Sequence, residues 1–413
     1  MAQVSPGSVT HLRTRRRPVA GLCLLGVGLT SLGLADVTEG TSPALDVESG
    51  HDDWSPVSQV IVSRMALQPG ERVLIVGAPG RFDALIAMIR AQIEASGAVD
   101  LGAVSINTAT FTPNQPTEFS SQLRDLNGAE LRSKLRDIDV SVMMPGATPE
   151  NPVFAALQEI LRSAQPGDPR RMIHFHWQGA YALDGTLLEP DATVDTTYRT
   201  ALLETDYSEL ARRQLAFEDA MRSGRVRVTT PSGTNLSFEI GDRPVTRQDG
   251  DASAARATRA RNLIDREVEL PAGVVRVAPV EATVSGRIVF PDADWSGRPV
   301  QGLTLIFERG RVVDVRAEVD VDAVLAELEA AGPAGRAFRE FALGFNPLLT
   351  LTQDRSWIPY YGYGAGVVRL SLGDNTELGG PVGGGYVRWN FFVDASVFVD
   401  EAAWVVDGQL VSR

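Results

Sequence analysis

Cysteine, lysine and histidine are scarce in this sequence, and each shortage narrows the chemistry available to it. Cys23 is the only cysteine among the 413 residues, which excludes a disulfide framework and a cysteine-ligated zinc site and argues against a thiol nucleophile. Lys134 is the only lysine, so Schiff-base chemistry has one candidate, within a charged helical segment. The last of the four histidines is His176, so chemistry in the remaining 237 residues (413 − 176) must use carboxylates, arginines, hydroxyls and the backbone.

The abundant residues indicate a folded, acidic protein. Hydrophobic residues make up 44% of the chain and charged residues 22%, which allows a sizeable core and excludes wholesale disorder. The 39 Lys+Arg and 52 Asp+Glu give a net charge of −13, and this balance argues against a nucleic-acid binder, which carries a clustered basic face. At roughly 100–200 residues per domain, the length predicts two or three domains.

Residues 1–54 differ from the rest of the chain. A cationic stretch at 11–17 precedes an apolar run at 18–34 and the small residues Gly33 and Ala35. This pattern is typical of a signal peptide, so residues 1–35 predict export, and the alternative is an inert extension followed by a linker. The apolar run contains four glycines and is short for a bilayer, so no stable membrane span is expected.

Strands and helices alternate between residues 55 and 223. This alternation predicts an α/β domain with a largely parallel sheet. The predicted strands are 72–76, 140–144 and 171–177, and the predicted helices are 57–65, 83–95, 129–135, 152–163 and 207–223.

Short strands separated by tight turns dominate residues 224–413. They predict a β-rich α+β domain, interrupted by one acidic helix at 321–331. The chain is therefore divided into an extension and linker (1–54), an α/β domain (55–223) and a β-rich domain (224–413).

His174 and His176 alternate along a predicted strand, so both side chains leave the same face of the sheet. They are candidates for two metal ligands or for an acid–base pair. No acidic cluster lies near them in the sequence, which favours a structural role. No Gly-x-Ser-x-Gly motif precedes a helix, so a serine nucleophile of that type is not predicted.

Four ordered segments resemble the thermophilic-type leucyl aminopeptidases, the aminopeptidase T family. They are Val226–Phe238, Leu270–Glu281, Phe341–Pro347, and Val368–Asn375 together with Val387–Phe391; Leu67–Ile75 is in addition similar to the first strand of that family. The resemblance spans about residues 55–400. It implies an aminopeptidase T-like fold, a cytoplasmic location and a homodimer.

The resemblance also implies a site for two divalent metal ions, which would generate hydroxide and polarise a scissile carbonyl. Of six ligand positions only one keeps a ligating residue, and the six are occupied by Val274, Glu340, Arg369, Arg388, Asn390 and, with the least secure alignment, Thr376. Valine cannot ligate, and two guanidinium groups repel a dication. The sequence therefore predicts no metal, no cofactor and no metallo-aminopeptidase activity.

Two arginines at former ligand positions suggest a different use of the site. Arg369 and Arg388 are predicted to bind an anionic group, such as the carboxylate of a peptide, with Glu340 as counter-ion; the alternative is an internal salt bridge. The aromatic segment 357–363 forms either a cleft wall or ordinary packing. The predicted ligand-binding residues are Arg369, Arg388, Asn390, Trp357, Tyr361 and Tyr363, and Glu340 is the catalytic candidate.

Three functions remain open. The first is a pseudoenzyme that binds a peptide or a small anionic molecule, in peptide tailoring or in regulation. The second is a metal-independent enzyme in which Glu340 acts as base and Arg369 and Arg388 hold the substrate. The third is an active metallo-aminopeptidase, which would need a metal ion held by His174 and His176.

Overall fold

The computed structural model describes residues 53–106, 116–124, 126–177, 179–189, 193–351 and 357–412. The predicted signal-like segment and almost all of its linker lie outside these ranges. Within them, no helix combines the length and the apolar character that crossing a membrane requires.

Ten helices are present in the described residues. They are α1 Ser55–Met65, α2 Asp83–Ala95, α3 Glu118–Gln122, α4 Gly128–Leu135, α5 Pro152–Arg162, α6 Val194–Glu204, α7 Tyr207–Ser223, α8 Ala254–Ala257, α9 Val321–Ala330 and α10 Gly332–Gly335.

The same residues contain 23 strands. The strands of the first half are β1 Arg72–Gly77, β2 Val99–Ser105, β3 Val140–Met143, β4 Arg171–Phe175, β5 Ala180–Tyr181 and β6 Leu187–Leu188. Those that follow are β7 Val226–Thr229, β8 Asn235–Phe238, β9 Val245–Gln248, β10 Glu267–Leu270, β11 Val274–Val277, β12 Ser285–Val289, β13 Ala293–Trp295, β14 Arg298–Val300, β15 Thr304–Glu308 and β16 Arg311–Arg316. The last are β17 Phe338–Gly344, β18 Ile358–Pro359, β19 Val368–Gly373, β20 Val387–Phe392, β21 Ser396–Val399, β22 Ala402–Val406 and β23 Gln409–Leu410.

The first sheet is parallel throughout and has the strand order β10-β4-β3-β1-β2. Its two faces are covered by different helices, because β4 sends Ile173 and Phe175 into a core with α1 and α2, and Met172 into a core with α4 and α5. The predicted parallel α/β sheet is confirmed. Strand β10 was not predicted, and it returns to this sheet from beyond residue 224, so the domain division at that point stays a prediction.

Helix α5 illustrates how the local sequence fixes one of these covering elements. The Asn151 side chain accepts hydrogen bonds from the backbone N–H groups of Val153 (2.9 Å) and Phe154 (3.2 Å), and Pro152 occupies the first turn. Its apolar stripe, which includes Phe154 and Leu157, is buried against the sheet. The helix therefore holds the face of β4 that carries His174.

Two large antiparallel sheets and two small ones, β13-β14 and β18-β5-β6, account for the other strands in the described residues. One large sheet has the order β20-β19-β17-β11-β9 and the other the order β16-β15-β12-β8-β7-β21-β22-β23. Aromatic side chains join them: Phe338 and Phe341 of β17 pack against Phe238 of β8, and Phe338 also packs against Phe307 of β15. The predicted β-rich second part is confirmed, and with it the fold class.

Only three residues, Pro271 to Gly273, separate β10 of the parallel sheet from β11 of the antiparallel sheet. Glycine is required at the end of this link, because a Cβ at Gly273 would lie 2.6 Å from the Cβ of Asn346. Gln248 of β9 ties the two sheets together: its Nε2 donates to the carbonyl of Glu267 (2.8 Å) and its Oε1 accepts from the N–H of Glu269 (3.0 Å). The carboxyl end of β10 is thereby held beside the antiparallel sheet.

Candidate functional site

Five charged side chains meet on one face of the five-stranded antiparallel sheet. Arg276 of β11 and Arg369 of β19 are both paired across β17 with Ala342, so their side chains leave the same face. Glu340 of β17 lies between them, next to a bulge in the β17–β19 pairing. We call the group formed by Arg276, Arg339, Glu340, Arg369 and Glu377 the Glu340 cluster.

Glu340 is fully buried and surrounded by guanidinium groups. Arg276 donates from Nε to Oε1 and from Nη2 to Oε2, each at 3.1 Å. Arg369 donates to Oε1 from Nε at 3.2 Å and also from Nη2, and its Nη1 donates to the carbonyl of Tyr361 at 2.9 Å. Each oxygen of the Glu340 carboxylate thus accepts at least one charge-assisted hydrogen bond from a guanidinium group.

Arg339 and Glu377 lie at the edge of the cluster and complete its ion pairs. Glu377 accepts from Arg276 Nη2 at 3.4 Å and from Arg339 Nη2, and Arg339 Nε lies 3.4 Å from Glu340 Oε2. Three arginines and two glutamates leave a net charge of +1 (3 − 2) when both carboxylates are ionised. The cluster is therefore internally paired but positive.

The ionic surroundings fix the protonation state of Glu340. Burial by itself would raise the pKa of its carboxyl group, but the guanidinium groups of Arg276, Arg369 and Arg339 outweigh burial and hold this pKa well below its ordinary value. Burial lowers the pKa of Arg369, and the charge of Glu340 opposes that effect. A carboxylate with such a low pKa and with both oxygens occupied is a poor general base.

Arg388 is not part of this cluster, contrary to the predicted pairing with Arg369. In β20 it is paired with Leu372, whereas Arg369 is paired with Phe391, so the two arginines leave opposite faces of the sheet. Arg388 Nη1 donates to Glu327 (3.0 Å), and its guanidinium carbon lies 3.6 Å from the centre of the Trp295 ring. Arg369 forms the internal salt bridge with Glu340 that was the predicted alternative to ligand binding. Arg388 forms its salt bridge with Glu327.

The remaining predicted residues are divided between the core and a partly exposed surface. Asn390 is buried on the face that carries Arg388, and Trp357 and Tyr363 are buried in the hydrophobic core. Thr376 is exposed and bonded to Asp374. Tyr361 is the exception, because it is only half buried. The structure thus brings Tyr361, Arg369 and Glu340 together and leaves the other predicted residues apart.

The residues at the positions that the resemblance assigns to metal ligands do not fit a dinuclear metal centre. Val274 is fully buried in β11 and offers no donor atom. Arg369 places its guanidinium on Glu340, where a metal ion would need the same carboxylate oxygens. A dication there would also face the positive charges of Arg276 and Arg339. These residues therefore do not form a site for two metal ions.

A second polar group lies at the carboxyl ends of β4 and β10, and we call it the His174 cluster. It consists of His174, His176 and Glu269, whose potential ligand atoms all lie within 4.8 Å of one another. His174 is directly opposite Glu269 in the parallel pairing of the two strands. In open α/β sheets, ligands bind at this edge, beyond the carboxyl ends of the strands.

Burial sets the protonation of the His174 cluster. It lowers the pKa of His174 to about 4 and that of His176 well below its ordinary value, so both imidazoles are neutral at pH 7. Burial raises the pKa of Glu269 to about 7, while the charges of Arg276 and Arg369 act in the opposite direction. The influence of these arginines indicates that the His174 and Glu340 clusters are electrostatic neighbours.

Tyr361 connects the two clusters. Its ring lies 5.6 Å from that of His176, 5.0 Å from that of Tyr181 and 5.2 Å from that of Trp389, while its carbonyl accepts from Arg369. Several buried polar atoms around this ring have no hydrogen-bond partner among the described residues: His176 Nε2, Glu269 Oε2, Trp389 Nε1 and Tyr360 Oη. Unsatisfied buried polar atoms are rare in folded proteins, and such atoms usually bind a water molecule, an ion or another molecule.

Sequence reasoning missed Arg276, Arg339, Glu377 and Glu269. Arg276 had a usable signal, because an arginine inside the run Val274 to Val277 requires a buried counter-ion. Glu269 also had one, since Glu267 to Leu270 alternates charged and apolar residues as a strand does. Its approach to His174 depends on the pairing of β10 with β4, which the local sequence does not disclose.

Comparisons with known proteins agree on the fold. No family model and no curated protein matches the chain. Among solved structures, 2,5-dihydroxypyridine dioxygenase from Pseudomonas putida KT2440 is similar at a TM-score of 0.58 and 15% identity, over 87% of this chain and 97% of that one. Wild-type AmpT from Thermus thermophilus is similar at a TM-score of 0.51 and 14% identity, over 86% of this chain and 99% of that one. The fold is therefore of the AmpT type, and identities this low do not specify an activity.

Proposed function

We propose that this protein is a ligand-binding pseudoenzyme with an AmpT-type fold, which binds a peptide or a small anionic molecule beside Tyr361. The observation that carries the proposal is the contrast between the Glu340 carboxylate, whose two oxygens both accept from guanidinium groups, and the unpaired polar atoms around Tyr361. The first occupies the position of the former metal centre, and the second offers hydrogen bonds to an incoming molecule.

The charge and the aromatic rings support this class of ligand. The net charge of +1 on the Glu340 cluster favours a neutral or negative group nearby. Tyr361 and Trp389 are half buried, so part of each ring is accessible. Trp389 Nε1 is a donor without a partner in the described ranges. A peptide carbonyl or carboxylate is a suitable acceptor for it.

Metal-independent catalysis with Glu340 as base is a weaker candidate. The low pKa of Glu340 and the engagement of both its oxygens leave it little capacity to accept a proton. Arg388, the predicted second substrate-binding arginine, is on the other face of the sheet. The AmpT and dioxygenase activities of the similar structures belong to those proteins, and a homodimer remains an expectation of the same kind.

Calorimetry with short peptides that have a free carboxylate tests the proposal. We expect binding by the wild type, weakened about 3- to 10-fold by Trp389→Phe, since this change removes one neutral hydrogen bond worth about 0.5–1.5 kcal/mol. Trp295→Phe is the matched control, because Trp295 also has an unpaired Nε1 but lies beside Arg388. Equal loss in both variants, or metal-dependent release of amino acids with two bound ions per chain, would contradict the proposal.

A further inference from the structure

The His174 cluster has the composition of a metal site rather than of a hydrogen-bonded triad. Two imidazoles and one carboxylate on neighbouring strands form the set that binds zinc in several hydrolases and iron(II) in many oxygenases. In a hydrogen-bonded triad, His176 and Glu269 would satisfy each other. Here His176 Nε2 and Glu269 Oε2 are both buried without a partner in the part of the chain that the structure describes.

We infer that His174, His176 and Glu269 bind one divalent transition-metal ion, of the zinc or iron(II) type. Ligand bonds of about 2.0–2.2 Å place the donor atoms of such a site about 3.3–3.6 Å apart. The potential ligand atoms already lie within 4.8 Å of one another, so small side-chain rotations complete the site. The backbone needs no rearrangement, since His174 and Glu269 are already in register.

The residues around His174, His176 and Glu269 affect how well these three side chains can hold a metal ion. Glu267 Oε1, which accepts a hydrogen bond from Gln158 at 2.8 Å, lies 3.9 Å from His174 Nε2, and this nitrogen contacts Met172 Sδ at 2.9 Å. A carboxylate is thus near His174, as is common beside ligating histidines, but it is not hydrogen-bonded to the ring. Gln248 fixes the backbone N–H of Glu269. Pairing with Glu340 offsets part of the positive charge of Arg276 and Arg369, and the net charge of +1 that remains on the Glu340 cluster opposes a cation.

This site differs in position from a centre built on Glu340. Its ligands belong to the parallel sheet, whereas Glu340 and the former ligand positions belong to the antiparallel sheet. Three protein ligands leave at least one coordination position open. The half-buried ring of Tyr361 lies next to His176, so an ion held here would offer that position to the carbonyl or carboxylate of a bound molecule. In this respect the inference rests on the proposed function.

Titration of the chelator-treated full chain with Co²⁺, by calorimetry and visible absorption, tests the inference without any peptide. We expect one Co²⁺ per chain and the intense visible bands of four- or five-coordinate cobalt. His176→Gln and Glu269→Gln should each weaken binding at least 100-fold. Two controls should bind as the wild type does: His51→Gln, which removes a histidine of the N-terminal extension, and Glu239→Gln, which removes a surface carboxylate paired with Arg225.

The outcomes separate this inference from the proposed function. Absence of Co²⁺ binding, a spectrum like that of hexaaqua cobalt, or unchanged affinity in His176→Gln and Glu269→Gln overturns the metal site and leaves peptide binding to be measured on its own. Loss of the ion in Glu340→Gln with retention in Glu269→Gln overturns both proposals. Circular dichroism and thermal unfolding of the metal-free variants identify any that fail to fold. In that case the Co²⁺ stoichiometry and the visible spectrum of the wild type decide whether the metal site exists.

Discussion

The Glu340 cluster and the His174 cluster are neighbouring groups of polar side chains, and they differ in how their atoms are satisfied. Glu340 and its three arginines are buried, whereas His174, His176 and Glu269 are half buried. Each oxygen of Glu340 accepts from a guanidinium group, and Arg276, Arg339 and Arg369 all contact this carboxylate. In the His174 cluster, a ring nitrogen of His176 and an oxygen of Glu269 have no partner among the described residues.

Because of this difference, we expect the Glu340 cluster to contribute mainly to stability and the His174 cluster mainly to binding. A buried carboxylate with full ionic pairing is costly to disturb but has nothing left to offer a ligand. A group with unsatisfied donors and acceptors contributes less to stability and gains by binding. In this protein Glu340 has the first character, and the His174 cluster at the carboxyl edge of the parallel sheet has the second.

The largest effect is expected from Glu340→Gln. This change leaves three guanidinium groups without their shared carboxylate and should lower the free energy of unfolding by about 3–5 kcal/mol. Urea unfolding at pH 7 measures it. Glu239→Gln is the matched control, because Glu239 pairs with Arg225 on the surface, where both side chains are nearly half exposed (48% and 45%), and should change stability by about 0–1 kcal/mol. Equal effects of the two changes would show that the Glu340 cluster is not a closed ionic core.

Arg369→Met should lower the free energy of unfolding more than Arg388→Met does. Loss of Arg369 removes two bonds to buried Glu340 and should cost about 2–4 kcal/mol. Loss of Arg388 removes a less buried pair with Glu327 and a contact with Trp295, and should cost about 1–2 kcal/mol. Denaturant unfolding of both variants checks the order, and a reversed order would mean that Arg388 is the ionic anchor of the sheet.

The pH dependence of the Glu340 effect has a definite sign. Because the pKa of Glu340 is lowered in the folded protein, its contribution is fully present above its ordinary pKa of 4.5 and is lost as the pH falls below that value. The stability difference between wild type and Glu340→Gln should thus be constant from pH 7 to about pH 5 and shrink towards pH 3. Urea unfolding at several pH values measures it; a difference that grows on acidification would be incompatible with a lowered pKa.

The smallest stability effect is expected at the open cluster. His176→Gln should change the free energy of unfolding of the metal-free protein by about 0–1 kcal/mol, because His176 Nε2 makes no hydrogen bond within the described residues. Zn²⁺ at a hundredfold excess over its dissociation constant should stabilise the wild type by about 2.7 kcal/mol and the variant by far less. Thermal unfolding with and without zinc is the measurement. A similar zinc effect on both proteins would place the ion elsewhere.

Much of the fold could be predicted from local patterns. Strand β1, helix α2 and helix α7 follow directly from their apolar periodicity, and the change from alternating strands and helices to short strands marks the change of sheet type. Strand β10 has only four residues and follows a long irregular stretch, so its place at the edge of the parallel sheet is a tertiary effect. Local sequence patterns therefore do not predict where β10 lies.

The candidate site was less predictable, for reasons of register and distance along the chain. The opposite orientations of Arg369 and Arg388 follow from pairing of Leu372 with Arg388, and nothing in either strand sequence fixes that register. The absence of an acidic residue near His174 and His176 in the sequence argued for a structural role. Glu269 is 95 residues beyond His174 (269 − 174) and reaches it only through β10.

The most direct test of the central claim is an anomalous-difference map from crystals of the full chain loaded with Co²⁺. We expect one peak per chain, about 2.0–2.3 Å from donor atoms of His174, His176 and Glu269, with the Arg276 and Arg369 side chains still hydrogen-bonded to Glu340. A peak bound to Glu340, with these arginines displaced, would contradict it.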